Sequence, residues 1–383
     1  MFTKNISFIN FQLKKKDKST KSKLNLLLIN DDQVVKSLRK SYKDTYSKKI
    51  FKIFKKKLDY RIIGMGGSSL GSQAIYDFLK YKIKKNFFFV NNLQAKQKIK
   101  SNKLYNNLII SKSGNTIETI VNSNVLIKKK EKNLLITENK DSYLKKLAKK
   151  LSAEVVDHNN FIGGRYSVLS EVGMLPAELM GLNPRKFRQF DNIVKNKNFL
   201  NLLIHNTGAI FHFSKKKFNS IIINYDEKSN YLFQWYQQLV AESLGKKSKG
   251  LLPIISSMPK DNHSLMQLYL DGPMKSFYTF FYVQDKNSIK LKSNQLLPSM
   301  KYLKNKNINE IIYSQKIATE NVFKKRQIPF RSFEILKRDE KSLGELFSFF
   351  ILETILLGRA LDVNPFDQPS VELIKKETKK ILI

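Results

Sequence analysis

From residue 60 onward the chain alternates short apolar runs with stretches whose apolar positions recur every three or four residues. The runs at 61–65, 87–90, 108–111, 133–137 and 154–156 predict buried strands. Helical periods lie between them at 72–82, 116–130 and 142–151. Strands that alternate with helices predict βαβ units and a parallel sheet covered by helices on both faces. A second series follows: helical residues from 184, strand 219–224, helix 231–244, strand 250–256, helix 264–270, strand 276–284, helix 308–325 and strand 331–336. A helix from 343 to about 361, a turn at NPFDQP and a last helix running to 383 close the chain. The first 57 residues read as a helical, Lys-rich arm without strong punctuation.

The fold class expected is therefore α/β, with two tandem doubly wound, flavodoxin-like parallel sheets. At 383 residues the chain has room for two such domains. The expected division is an arm over 1–57, a first α/β domain over 58–183, a second over 184–342, and C-terminal helices over 343–383 that complete the site.

Composition narrows the function classes. Hydrophobic residues make up 42% and charged residues 27% of the chain, which fits neither a disordered chain nor a membrane bundle. The richest apolar stretch, 346–361, is interrupted by Glu353, Thr354 and Arg359 and falls short of a spanning helix. No signal-peptide pattern is visible at the start, and the expected location is the cytoplasm. With no cysteine, disulfides and thiolate metal sites are excluded. His158, His205 and His212 lack metal-ligand spacing among them and are read as structural or surface groups; no metal and no cofactor is expected.

The net charge of +38 admits a nucleic-acid reading, but the lysines are spread from end to end with no basic domain set apart. Lysine-rich drift on solvated faces explains the charge as well, and no nucleic-acid or membrane partner is expected.

Two loops carry candidate chemistry. GMGGSSLGS, residues 64–72, follows a strand and opens a helix, a setting that offers backbone N–H groups to an anion. It is not a dinucleotide fingerprint, because counting from Gly64 puts Ser69 where the last glycine belongs. It is not a P-loop either, because Ser72-Gln73 replace the lysine and hydroxyl. The second loop, SKSGNTIET at 111–119, again stands between a strand and a helix, with Ser111, Ser113 and Thr116 as hydroxyl donors and Lys112 as a cation. An ordinary polar loop with a serine cap accounts for one hydroxyl but not this density. Ligands of open parallel sheets bind at that edge, and a monophosphate is the ligand expected.

These loops, and four further segments in the same order, resemble the glucose-6-phosphate isomerase family. The segments are GGRYSVLSEVGMLPA (163–177), QQLVAESLGK (237–246), DNHSLMQLYLDGP (261–273) and NPFDQPSVELIKK (364–376). The resemblance implies two sugar-isomerase domains and reversible conversion of an aldose phosphate to a ketose phosphate. It implies Ser111, Lys112, Ser113 and Thr116 on the phosphate, with Gly67 and Ser68 beside the sugar. Glu242 is then the general base, Gln238 one turn earlier orients the substrate, and Arg165 faces the oxygens that gain charge. His263 and Lys375 would assist ring opening, and Gln368 would contact the sugar or its phosphate. The histidine is implied to come from a partner subunit, hence a homodimer. Three positions depart from the family pattern: Glu171 stands where a smaller residue is usual, and Ser370 and Ile374 replace glycines before Lys375.

The parts suit the reaction. A single carboxylate can take a proton from C2 and return it to C1, and a fixed guanidinium stabilises the enediolate between. Ring opening needs a donor and an acceptor, roles open to a histidine and a lysine. A phosphate held at a distance orients the reacting carbons. Without the resemblance, Glu242 would read as a surface residue, His263 as a helix cap and Arg165 as a turn salt bridge. Glu353, inside the apolar helix, is expected to pair with a buried cation or a backbone group. Two other functions stay open at this point: a non-catalytic sugar-phosphate sensor on the same fold, and an isomerase of another sugar phosphate such as mannose 6-phosphate.

Overall fold

The computed structural model describes residues 3–13, 18–29, 32–54, 59–95, 103–285 and 287–383. The first sheet contains strands β2 (Asp59–Ile63), β3 (Phe87–Val90), β4 (Tyr105–Ile110), β5 (Lys132–Thr137) and β6 (Glu154–Asp157). All its pairings are parallel, in the order β3-β2-β4-β5-β6. The chain steps from β2 to one side and then crosses to the other, so the order reverses between β2 and β4. Ile63 lies opposite Ile109 across that boundary, and the two predicted loops leave the sheet side by side there. This is the edge where open α/β sheets bind ligands.

The second sheet contains β7 (Asn219–Asn224), β8 (Leu252–Ser257), β9 (Ser276–Val283) and β10 (Phe330–Ile335) in the order β8-β7-β9-β10. Its relative order repeats that of the first sheet. The fifth position, however, is filled by β1 (Ile6–Ile9), which pairs antiparallel with β10. The arm is thus not wholly helical as the sequence suggested. It contributes an edge strand, and three helices follow it at Lys18–Ile29, Gln33–Ser37 and Lys49–Ile53. ISFI is too short to declare a strand alone; Ile6 and Phe8 bury on the sheet while Ile9 faces out.

The helix Glu340–Ala360 is apolar almost all round and is buried nearly throughout, as such a pattern requires. It packs on the helices Lys18–Ile29, Lys197–Ser214 and Asn230–Leu244. Of its buried carboxylates, Glu353 pairs with the buried Arg331 of β10, as expected, and accepts hydrogen bonds from Asn206 and from Tyr236 Oη (3.1 Å). One apolar cluster runs through residues of both sheets, from Tyr60, Ile62 and Leu108 to Ile222 and Phe281. The helix Asn230–Leu244 packs against Leu70–Phe78, the helix that the glycine loop opens. That contact brings the second half of the chain to the ligand edge of the first sheet.

Candidate active site

The glycine loop sits at the meeting point of three segments. Gly66, at φ +53°, lies against the Gln238 side chain, and a Cβ there would stand 2.8 Å from Gln238 Nε2. A Cβ on Gly67 would lie 2.2 Å from the carbonyl carbon of Gly164, so only glycine lets these two backbones meet. Arg165 follows at once, on a short 3-10 helix (Gly164–Leu169) that is buried from Arg165 onward. Trp235 Nε1 donates to the Arg165 carbonyl at 3.0 Å and fixes the backbone there.

The guanidinium of Arg165 is 2% exposed and is surrounded by five oxygens, four that accept its hydrogen bonds and one of Glu242 at ion-pair distance. Nε donates to Ser243 Oγ (2.8 Å), and Nη2 donates to the carbonyls of Pro365 (2.8 Å) and Asp367 (3.1 Å). Nη1 donates to Gln368 Oε1 (2.7 Å) and stands 3.2 Å from Glu242 Oε1. Nε and Nη2 are thus held by the scaffold, whereas the partners of Nη1 are two side chains able to yield to a ligand. The other Glu242 oxygen accepts from Gln238 Nε2 at 2.9 Å, one helical turn away. Gln238 Oε1 is buried without a partner. The Glu242 side chain is 24% exposed, so the carboxylate is held by two named partners yet reachable.

The turn that supplies these acceptors is itself tied down. Lys246 Nζ donates to the Asp367 carbonyl (2.6 Å) and carboxylate (2.9 Å), and that hydrogen bond holds the Asp367 carboxyl below the usual range. Tyr166 Oη donates to the Pro365 carbonyl (2.9 Å) and lies 2.8 Å from Ser243 Oγ. Burial pushes the Tyr166 phenol up to about 12, so it remains a proton donor at neutral pH.

In the neighbouring loop Ser111 Oγ and Thr116 Oγ1 are 2.9 Å apart. Thr116 is the N-cap residue of the helix Ile117–Leu126, but its hydroxyl turns to Ser111 and makes no cap bond. Ser113 Oγ accepts from the Asn115 N–H at 3.3 Å, and Lys112 Nζ donates to the Asn160 carbonyl at 2.8 Å. Lys112 also lies 3.5 Å from Glu138. Glu171, the departure noted above, is fully buried and accepts from the Asn159 N–H (2.7 Å) and Tyr42 Oη (3.0 Å). It thereby anchors the loop whose next carbonyl holds Lys112.

The structure therefore brings Gly67, Arg165, Gln238, Glu242 and Gln368 together, beside Ser68 and the loop with Ser111, Lys112, Ser113 and Thr116. It does not bring His263 or Lys375 to them within one chain. His263 is exposed at the end of a short 3-10 helix (Lys260–His263) that follows β8. Lys375 lies on the exposed helix Val371–Leu382, with its Nζ 2.6 Å from Glu372. Of the three histidines read as structural or surface groups, His158 is buried, while His205 and His212 are exposed. Sequence reasoning missed Tyr166, Ser243, Lys246 and the Pro365 and Asp367 carbonyls. The first three stand inside recognised motifs, next to or close to singled-out residues. Nothing local marks the carbonyls, which act on a guanidinium 200 and 202 positions earlier.

Among the described residues no group of three or more His, Asp or Glu side chains is placed to hold a metal ion, and no helix is long and apolar enough to cross a membrane.

Residues 35–250 match the family described as phosphoglucose isomerase. A glucose-6-phosphate isomerase from Methanocaldococcus jannaschii is 32% identical over 338 residues, covering 82% of this chain and 82% of the relative. One from Mycoplasmopsis pulmonis is 32% identical over 351 residues, covering 84% of this chain and 82% of the relative. Among solved structures, a glucose-6-phosphate isomerase from Chlamydia trachomatis superposes with a TM-score of 0.74 at 15% identity, over 99% of this chain and 89% of that one. A Thermus thermophilus protein solved as a hypothetical protein reaches 0.82 at 20% identity, over 95% and 94%. The fold seen here is thus shared by both solved proteins, and the chain belongs to the phosphoglucose isomerase family.

Proposed function

We infer that this chain is a glucose-6-phosphate isomerase, converting D-glucose 6-phosphate and D-fructose 6-phosphate into one another in cytoplasmic glycolysis and gluconeogenesis. The observation that carries the reading is the Glu242 carboxylate held between Arg165 Nη1 (3.2 Å) and Gln238 Nε2 (2.9 Å) at the ligand edge of the first sheet. A sugar-phosphate sensor has no need of a reachable carboxylate beside a buried guanidinium.

In this reading Ser111, Lys112, Ser113 and Thr116 hold the phosphate, and the sugar extends over Gly67 and Ser68 toward Glu242. Glu242 removes the proton from C2 of the open aldose and delivers it to C1, with the reverse transfer in the other direction. The negative charge that grows on the C1 and C2 oxygens meets Arg165 Nη1, whose orientation is set beforehand by the three hydrogen bonds at Nε and Nη2. A donor fixed before the reaction stabilises that charge without reorganising. The unpartnered Gln238 Oε1 accepts from a sugar hydroxyl. Gln368, whose oxygen is taken by Arg165, offers its exposed amide N–H groups to the sugar or its phosphate.

Ring opening falls to His263 and Lys375, with His263 reaching the site of a partner subunit. The homodimer this requires is supported by the exposure of His263. It is supported also by the helix Val371–Leu382, which buries none of its residues in the single chain. Leu373, Ile374 and Ile381 are 64%, 69% and 83% exposed there, an apolar surface suited to a second copy.

The test is turnover of fructose 6-phosphate and mannose 6-phosphate by the purified protein. Product from fructose 6-phosphate identified as glucose 6-phosphate supports the reading. Binding without turnover returns the chain to the sensor class, and faster use of mannose 6-phosphate reassigns the substrate.

A further inference from the structure

Several features outside the proposed chemistry were candidates for a second role. The cleft of Lys215, Lys246, Lys247 and Lys249 is basic, but three of those lysines already hold oxygens of residues 361–367. The buried Arg331–Glu353 pair is closed on itself with Asn206 and Tyr236. The group that reaches the reacting end of the site is the pair Tyr166 and Ser243.

Proton counting gives their hydrogen bonds a direction. The Pro365 carbonyl can only accept, so the single proton of Tyr166 Oη points to it. Ser243 Oγ accepts the Nε–H of Arg165, and its own proton is free to point at Tyr166 Oη. A one-way chain results: Arg165 Nε–H to Ser243 Oγ–H to Tyr166 Oη–H to Pro365 O. All of these side chains are buried. Arg165 Nη2 ends on the same Pro365 carbonyl at 2.8 Å, which closes the chain into a ring. A planar guanidinium fixed at Nε and Nη2 has no rotation left, and Nη1 is held 3.2 Å from Glu242 Oε1.

We propose that Ser243 and Tyr166 are positioning residues that lock the guanidinium plane of Arg165, so that Nη1 meets the oxygens gaining charge during proton transfer. The inference rests on the isomerase reading and adds two residues that touch no substrate. Ser243 follows Glu242 in the chain, so the same helical turn supplies the base and the lock for its cation.

The experiment compares Ser243→Ala, Ser243→Thr and Tyr166→Phe with the wild type in kcat, KM and affinity for two inhibitors. One inhibitor is a phosphorylated hydroxamate, planar and anionic like the enediolate; the other is a hexitol 6-phosphate that fills the phosphate loop without that charge. Misorientation of a reacting group costs on the order of 10²-fold in rate. Ser243→Ala is therefore expected to lower kcat by about 10–100-fold with KM little changed. It should weaken the hydroxamate by a similar factor and leave the hexitol phosphate alone. Ser243→Thr, which keeps the hydroxyl, should restore most of the activity, and Tyr166→Phe should show the same pattern to a smaller degree. Equal weakening of both inhibitors, or a raised KM at wild-type kcat, overturns the proposal. Should Ser243→Ala fail to fold, Ser243→Thr and Tyr166→Phe carry the test alone. An Arg165→Gln control separates the layers. If it retains full kcat, the isomerase reading of Arg165 fails; if it is slow while Ser243→Ala is not, only the positioning inference fails.

Discussion

Arg165 and Glu242 meet at 3.2 Å although they come from different halves of the chain, one from a buried 3-10 turn and the other from the helix that packs on the glycine loop. Four of the five N–H groups of the guanidinium are spent on other acceptors, so the contact with the carboxylate is a matter of aim as much as of attraction. Replacing Arg165 by lysine keeps the charge and loses the fork. Removing one such preorganised donor costs about 10²–10³-fold in kcat. Arg165→Lys should show a loss of that size in steady-state kinetics, with a smaller change in KM.

The Ser111–Thr116 loop calls for a different signature. Thr116→Val keeps the volume at the helix start but removes the hydroxyl that lies 2.9 Å from Ser111 Oγ. A hydrogen bond to a charged group contributes about 1.5–3 kcal/mol, or roughly 10–100-fold in affinity. Inhibition by inorganic phosphate and KM for fructose 6-phosphate should weaken together by a factor in that range. A variant whose kcat falls while phosphate inhibition stays unchanged would place the phosphate elsewhere.

If the sites are shared between subunits, two damaged proteins can repair one another. On the proposed roles Glu242→Gln lacks the base and His263→Ala lacks the ring opener, and each homodimer should be impaired. Coexpression should restore activity, because some mixed dimers contain one intact site. Mixed dimers that form and stay as impaired as their parents would rule out a histidine supplied across the interface.

Stability has its own buried ion pair. Arg331 and Glu353 are fully desolvated, with Asn206, Thr279 and Tyr236 completing their hydrogen bonds. Breaking such a pair from one side leaves a buried charge and costs about 3–5 kcal/mol. Glu353→Ala should lower the urea midpoint accordingly. The double variant Arg331→Met, Glu353→Leu should recover much of the loss, because no lone charge remains.

His158 links stability to pH. Burial drives its pKa down to about 4, with Lys112 adding to the shift and the Asn159 carbonyl and Glu138 opposing it. Glu171 Oε1, 3.7 Å away, does not reverse the direction. In the unfolded chain the imidazole titrates near 6.5, so between about pH 6.5 and 4 the unfolded state binds more protons and stability falls with falling pH. Over that window the loss approaches about 3 kcal/mol, and above it the residue contributes no pH dependence. Urea unfolding at pH 7 and pH 5 should show a smaller difference for His158→Asn than for the wild type.

Both sheets were legible in the sequence because their strands are short, apolar and set off by helical periods. Each predicted strand from β2 to β10 lies within a few residues of its place. The arm was misread for a physical reason: ISFI becomes a strand only through its partner β10, far along the chain, and carries no period of its own. The glycine and SKSGNT loops could be singled out as candidate anion-binding features from residue types alone, and the structure sets them side by side between β2 and β4. Glu242, Arg165 and His263 were not, since a glutamate on an amphipathic helix and an arginine after two glycines have commonplace explanations, and only the family motifs raised them. The ring through Ser243, Tyr166 and Pro365 was illegible, because its closure joins residues 77, 199 and 200 positions apart.

The most direct measurement is the rate of fructose 6-phosphate to glucose 6-phosphate conversion by Glu242→Gln beside the wild type, with folding checked by circular dichroism. Glutamine keeps the shape and can still meet Gln238, but it cannot accept the C2 or C1 proton. A positioned base contributes about 10²–10⁴-fold, and a kcat lower by that factor, with fructose 6-phosphate still bound, is the expected result. A folded Glu242→Gln protein that turns over at the wild-type rate would contradict the proton-transfer role of Glu242.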